Sequence, residues 1–161
     1  MIELRQAIEA FARHEVEFII VGGVAMYLYG SSHVTLDLDI CYARHRTNLT
    51  RIVSALAPYH PRPRGLRDNL PFIWEEQTLR NGTNFTFTTD LGDLDLLGEV
   101  AGVGNYEDAL AVSVVVPLFN IECRMLTLDA LIATKRAAGR PKDLLALPEL
   151  EALREITEES K

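Results

Sequence analysis

Two aspartates stand two residues apart in Leu36-Asp37-Leu38-Asp39-Ile40, downstream of the pair Gly22-Gly23. Side chains at alternate positions of a strand share a face, so Asp37 and Asp39 project together. Leu36, Leu38 and Ile40 should then turn the other way, into a core. Carboxylates held side by side repel one another, and a cation relieves that repulsion. Hard oxygen ligands suit Mg²⁺ or Mn²⁺. A second alternating pair, Asp93-Leu94-Asp95, lies in another strand-like segment. Asp95 could meet the first pair across a sheet, as a metal ligand and a candidate general base. Three converging carboxylates can hold two divalent ions about 3.5–4 Å apart, the clamp used for in-line phosphoryl and nucleotidyl transfer. The glycine pair would let backbone approach a phosphate, and Ser31 or Ser32 could donate hydrogen bonds to it. No Gly-Lys-Ser/Thr follows the glycines, which excludes a P-loop. An isolated Asp-x-Asp is ordinarily a solvated strand face; the glycines and the third aspartate favour a metal site.

Those residues need elements to hold them. Leu4, Ile8 and Phe11 recur at helical spacing and predict an amphipathic helix over 2–14. Glu17–Val21 reads as a strand that stops at Gly22-Gly23, and residues 24–29 as a short helix entered through the glycines. A polar turn, Gly30-Ser31-Ser32, leads to a strand near Asp37–Tyr42. Arg46–Ala57 reads as a helix with Leu49, Ile52, Val53 and Leu56 along one face. Residues 58–71 carry prolines and arginines without periodicity and predict a surface loop. Asn81-Gly82 between two strand-like segments predicts a hairpin. Asp93–Leu97 and runs near 112–117 and 119–126 extend the sheet. Gly102-Val103-Gly104 reads as a turn. Thr127 can cap a helix that Gly139-Arg140-Pro141 ends, and a last helix follows over 142–156. The pattern predicts one α/β (α+β) domain spanning residues 1–161, with a mixed β-sheet flanked by helices.

Bulk composition narrows the function classes. The 161 residues are 48% hydrophobic, with 16 Lys and Arg against 23 Asp and Glu, a net charge of −7. That balance excludes a uniformly basic nucleic-acid surface and a polybasic membrane anchor. No apolar run approaches the ~20 residues that span a bilayer, and Met1–Gln6 is charged and helical in pattern, so no membrane partner and a cytoplasmic location are expected. Cys41 and Cys123 stand alone in apolar strands and read as buried free thiols.

Gly22-Gly23, Asp37-Leu38-Asp39 and Asp95 together resemble the nucleotidyltransferase superfamily typified by DNA polymerase β. Three longer segments look like its small bacterial branch related to AbiEii-type toxin nucleotidyltransferases: 18–40, 92–106 and 128–143. The resemblance implies a nucleotidyltransferase fold with Mg²⁺ (or Mn²⁺) at Asp37, Asp39 and Asp95. It places Gly22, Gly23, Ser31, Ser32, Thr35, Lys135, Lys142 and Asp143 around a nucleoside triphosphate (NTP), with Lys135 near its phosphates. It also implies a toxin–antitoxin role with an antitoxin protein as partner. His33 stands where many relatives carry an arginine. Lys135 could equally be a solvated helix lysine, and Asp143 a helix cap.

The charge is uneven. Between residues 43 and 80, Arg44, Arg46, Arg51, Arg62, Arg64, Arg67 and Arg80 face Asp68, Glu75 and Glu76, a net +4. Arginine suits bidentate phosphate contacts, and Tyr59, Phe72 and Trp74 among them could stack on bases. An RNA end such as tRNA is the natural acceptor for this Arg44–Arg80 region; a solvated loop around one core tryptophan is the alternative. Three functions stay open: an Mg-dependent nucleotidyltransferase acting on an RNA, protein or small-molecule hydroxyl; a non-catalytic nucleotidyltransferase-fold binding or regulatory module; and a metal-dependent nuclease or phosphatase.

Overall fold

A computed structural model describes residues 1–159. In chain order the elements are α1 (Leu4–Arg13), β1 (Phe18–Val21), α2 (Gly22–Leu28), β2 (Leu38–Tyr42), α3 (Arg46–Leu56), β3 (Arg62–Pro63), α4 (Glu76–Arg80), β4 (Asn84–Thr89), β5 (Gly92–Leu97), α5 (Tyr106–Ala111), β6 (Ser113–Leu118), β7 (Ile121–Leu126), α6 (Leu128–Ala138) and α7 (Pro141–Glu159). The strands form one seven-stranded sheet in the order β3-β4-β5-β2-β1-β7-β6. β2 pairs parallel with β5, and β1 parallel with β7, while the remaining neighbours are antiparallel. The sheet is therefore mixed, as the pattern predicts.

The apolar faces explain the layering. α1 buries Ala7, Ile8, Ala10 and Phe11, and α3 buries Leu49, Ile52, Ala55 and Leu56. They join Ile19, Ile20, Leu38, Ile40, Leu94 and Leu96 of the central strands in one core. Each such large side chain contributes roughly 1.5–3 kcal/mol on burial. Asn48 is fully buried on α3 and ties three backbone groups, Glu17 N–H and C=O and Ala43 C=O, so the ends of β1 and β2 are clamped together. Thr127 accepts from Ala130 N–H at the start of α6, and Gly139 ends that helix in the left-handed region at φ +63°. Burial pushes the thiols of Cys41 and Cys123 up to about 12 and about 11, as suits structural cysteines.

Several expectations need correction. Leu36 is 57% exposed rather than core, because the chain enters β2 only at Leu38. Asn81-Gly82 follows the helix α4, not a strand. The hairpin there joins β4 to β5, whose register closes at Thr89 opposite Gly92. A second hairpin joins β6 to β7 through Phe119-Asn120, both at positive φ (53° and 64°), the backbone that suits a two-residue turn. The 58–71 loop contains the short edge strand β3. The glycine turn holds: Gly104 bridges back to Val100.

Candidate active site

The parallel register of β2 and β5 sets Asp39 directly opposite Asp95. Asp37 lies one residue before β2 and lines the same cleft as Asp39 and Asp95. Asp39 Oδ1 is buried and has no hydrogen-bond partner. Burial pushes the Asp39 carboxyl up to about 7; the Asp95 charge and hydrogen bond and the Asp37 charge add to this, and Lys135 opposes it. The glycine pair explains how two carboxylates fit there. Gly22 has φ +64°, and a Cβ on it would meet Asp39 Oδ2 at 2.1 Å. A Cβ on Gly23 would meet Thr35 Oγ1 at 2.6 Å, and that hydroxyl donates to Asp37 C=O at 3.0 Å. The glycines thus seat α2 against the Asp-bearing strand, a closer role than the phosphate approach expected of them.

A cleft of about 820 Å³ opens over these aspartates. That volume lies within the range of small-molecule sites. Gly23, Ser31, Ser32 and Thr35 line one wall and Lys135, Arg140 and Lys142 another, with Asp37, Asp39 and Asp95 below. Lys135 is therefore a wall residue and not merely a solvated helix lysine. Asp143 has no exposed side-chain surface and anchors the cationic wall. It accepts from Arg140 Nε at 2.6 Å, Arg140 N–H at 3.2 Å and Lys135 Nζ at 3.3 Å. The Arg140 hydrogen bonds, with help from Lys135 and against burial, hold its carboxyl down at about 2. It accepts from the backbone at the start of α7, as a cap does, and it holds Arg140 and Lys135, but it does not itself line the cleft.

Two contacts escaped sequence reasoning. Arg64 Nη2 donates to Asp95 Oδ1 at 2.8 Å, and its Nε lies 3.4 Å from Asp93 Oδ2. Glu149 on α7 accepts from Ser32 N–H at 2.7 Å and Ser32 Oγ at 2.9 Å. The positive character of the 43–80 region was the only sequence signal for Arg64; nothing marked Glu149 among the carboxylates of the last helix.

The donor set suits a divalent cation: all-oxygen, anionic, with one buried carboxylate oxygen unpartnered. Among the described residues no three His, Cys, Asp or Glu side chains already stand grouped for a metal, and Asp95 is engaged by Arg64. An ion held through Asp95 Oδ1 would compete with Arg64 for that oxygen.

The arginines of the 43–80 region do not form one patch. Arg64 turns into the aspartates, Arg62 bonds Arg67 and Leu70 carbonyls, and Arg51 bonds Glu15 C=O. Arg44, Arg46 and Arg80 line a separate pocket of about 240 Å³. Trp74 donates to Val53 C=O and packs edge-on against Phe87, while Phe72 and Tyr59 pack on the core. These rings are structural, which favours the core-tryptophan alternative over a base-stacking platform.

No protein-family model and no curated protein matches the chain. Among solved structures, a Thermotoga maritima protein named as a candidate nucleotidyltransferase matches at TM-score 0.54 and 14% identity, covering 99% of this chain and 96% of that one. The likeness shows a nucleotidyltransferase-type fold. Among the described residues no helix is long and apolar enough to cross a membrane.

Proposed function

We propose that this chain is a divalent-metal-dependent nucleotidyltransferase that moves a nucleoside monophosphate from an NTP to a hydroxyl. The observation that carries the reading is the in-register pair Asp39–Asp95, with a buried and unpartnered Asp39 oxygen beneath a cleft walled by Lys135, Arg140 and Lys142. Asp37, Asp39 and Asp95 would hold Mg²⁺ or Mn²⁺, which supplies charge neutralisation at the α-phosphate and acidifies the attacking hydroxyl. The chain's own residues do the rest. Lys135, Arg140 and Lys142 offset the triphosphate charge, and Ser31, Ser32 and Thr35 border it. The acceptor oxygen bonds to the α-phosphorus, its proton passes to Asp95, and the bond from that phosphorus to the β-bridging oxygen breaks to release pyrophosphate.

The acceptor in this reading is an RNA end (tRNA is one candidate), a protein or a small molecule. The Arg44–Arg46–Arg80 pocket supports a phosphate-bearing acceptor. A toxin role, neutralised by an antitoxin protein, rests on the resemblance of the sequence to toxin nucleotidyltransferases. Incubation with labelled NTPs, Mg²⁺ and total RNA or protein should label an acceptor, and Asp39→Asn should abolish labelling. Label that persists in the variant overturns the mechanism. A non-catalytic nucleotidyltransferase-fold binding or regulatory module is the second reading, favoured by Arg64 already neutralising Asp95. It predicts no incorporation into any acceptor and no thermal shift with any NTP plus Mg²⁺.

A further inference from the structure

Arg64 and Glu149 make, from within the chain, the contacts that a metal–nucleotide would make from outside. Arg64 follows the edge strand β3. Its backbone N–H donates to Thr86 C=O at 2.9 Å, and its Nη2 to Phe87 C=O at 3.1 Å, so the guanidinium is held over the sheet. From there it reaches Asp95 and Asp93 together, a cation set on the anionic floor. On the opposite wall stands an anion. The Glu149 carboxylate takes one backbone N–H and one hydroxyl of Ser32, as the edge of a phosphate group does. The cleft's other charged wall residues, Lys135, Arg140 and Lys142, are cations.

We propose that Arg64 and Glu149 are resident counter-ions that set which ligand the site admits: Arg64 stands in for a divalent cation at Asp95, Glu149 for a phosphate at Ser32. The proposal rests on the reading of the site as one for metal and NTP, and adds a selectivity for the metal–polyphosphate complex over its separate parts. A free divalent ion that takes Asp95 leaves the Arg64 guanidinium without that partner and adds positive charge beside it. A free polyphosphate that takes Ser32 releases the Glu149 carboxylate and adds negative charge above Asp37, Asp39 and Asp95. The complex lowers both penalties, because its phosphates offset the positive charge the metal adds near Arg64 and its metal screens the phosphates from the aspartates. Metal and polyphosphate binding are therefore positively and reciprocally coupled.

The test uses the full chain, Mn²⁺ followed by electron paramagnetic resonance, and inorganic tripolyphosphate followed by calorimetry. Wild type should bind Mn²⁺ about tenfold more tightly with tripolyphosphate present than without, a coupling near 1.4 kcal/mol. Arg64→Gln should bind Mn²⁺ alone several-fold more tightly and lose most of that enhancement. Glu149→Gln should bind tripolyphosphate alone several-fold more tightly and leave the affinity for Mn²⁺ alone unchanged. Arg64→Lys, which keeps the charge but not the fork, should fall between wild type and Arg64→Gln, and it replaces Arg64→Gln if that variant does not fold. Weaker Mn²⁺ binding in the Arg64 variants, unchanged tripolyphosphate binding in Glu149→Gln, or no binding in any protein overturns the proposal. Intact coupling without labelling of any acceptor overturns the transfer reading alone.

Discussion

Asp39 is the residue at which local stability and ligand binding are opposed. Its Oδ1 is buried without a partner and its carboxyl meets Asp95 across the strand pair. Without a cation, the isosteric neutral side chain should therefore be better tolerated. Asp39→Asn should raise metal-free stability by about 1–2 kcal/mol in urea unfolding while abolishing Mn²⁺ binding, a trade of function against stability. Gly22 answers to the same carboxylate. Gly22→Ala places a Cβ 2.1 Å from Asp39 Oδ2 at φ +64°. The left-handed backbone contributes about 1–2 kcal/mol and the overlap about 1–3 more, so the variant should lose roughly 2–5 kcal/mol and, with Asp39 displaced, its Mn²⁺ affinity. At this scale the sequence was legible wherever chemistry repeats at short spacing. Alternation suggested that Asp37 and Asp39 share a face; that Asp95 stands beside Asp39 follows from the β2–β5 register, which alternation does not encode. Arg64 and Glu149 were not legible, because their partners lie 31 and 117 residues away and no local periodicity encodes a contact across the sheet or between helix and turn.

The junction of α6 and α7 shows the same division among elements. Thr127 and Gly139 marked both ends of α6 correctly, since caps are local chemistry. What the junction holds is tertiary: a fully buried Asp143 bound to Arg140 and Lys135. Its carboxyl is held near 2 in the folded chain, below the value of about 3.9 expected when unfolded. A carboxyl depressed by folding contributes stability that is present above the unfolded value and fades as pH falls through the folded one. Asp143→Asn should cost about 1–3 kcal/mol at neutral pH, and the gap to wild type in urea midpoints should narrow between pH 4 and 2. A gap constant over that range would show that the ion pairs contribute nothing. The hairpins failed in the opposite sense. Asn81-Gly82 looked like a turn between strands, yet tertiary packing of Leu79, fully buried, makes the preceding segment a helix. Phe119-Asn120 makes the two-residue turn without glycine, and Arg5 stacks over Phe119 at 5.0 Å.

For the whole molecule, the net charge of −7 argues against a polyanion, yet the cleft is walled by Lys135, Arg140 and Lys142 and bordered by Arg64. The uneven charge was legible, but not that Arg64 and the 135–142 stretch meet at the same aspartates, which only the folded sheet brings about. The assembly has a thermodynamic consequence. β2 and β5 lie at the centre of the sheet and carry the aspartates, while α6 and α7 at the chain's C-terminal end carry the cations. A ligand that bridges them binds only the folded domain, so its binding energy adds to global stability. At a concentration about 100 times its dissociation constant, an Mg²⁺–NTP complex should add about 2.7 kcal/mol, or roughly 5–10 °C in Tm for a domain of this size. Mg²⁺ alone or NTP alone at the same concentration should add much less, because each must displace a resident ion with no gain for the other. Asp39→Asn should erase the shift while itself melting higher than wild type without ligand. Differential scanning calorimetry of the two proteins under these conditions reads all these outcomes. Equal shifts from NTP with and without Mg²⁺ would place the nucleotide away from the aspartates and end the case for a metal-dependent site.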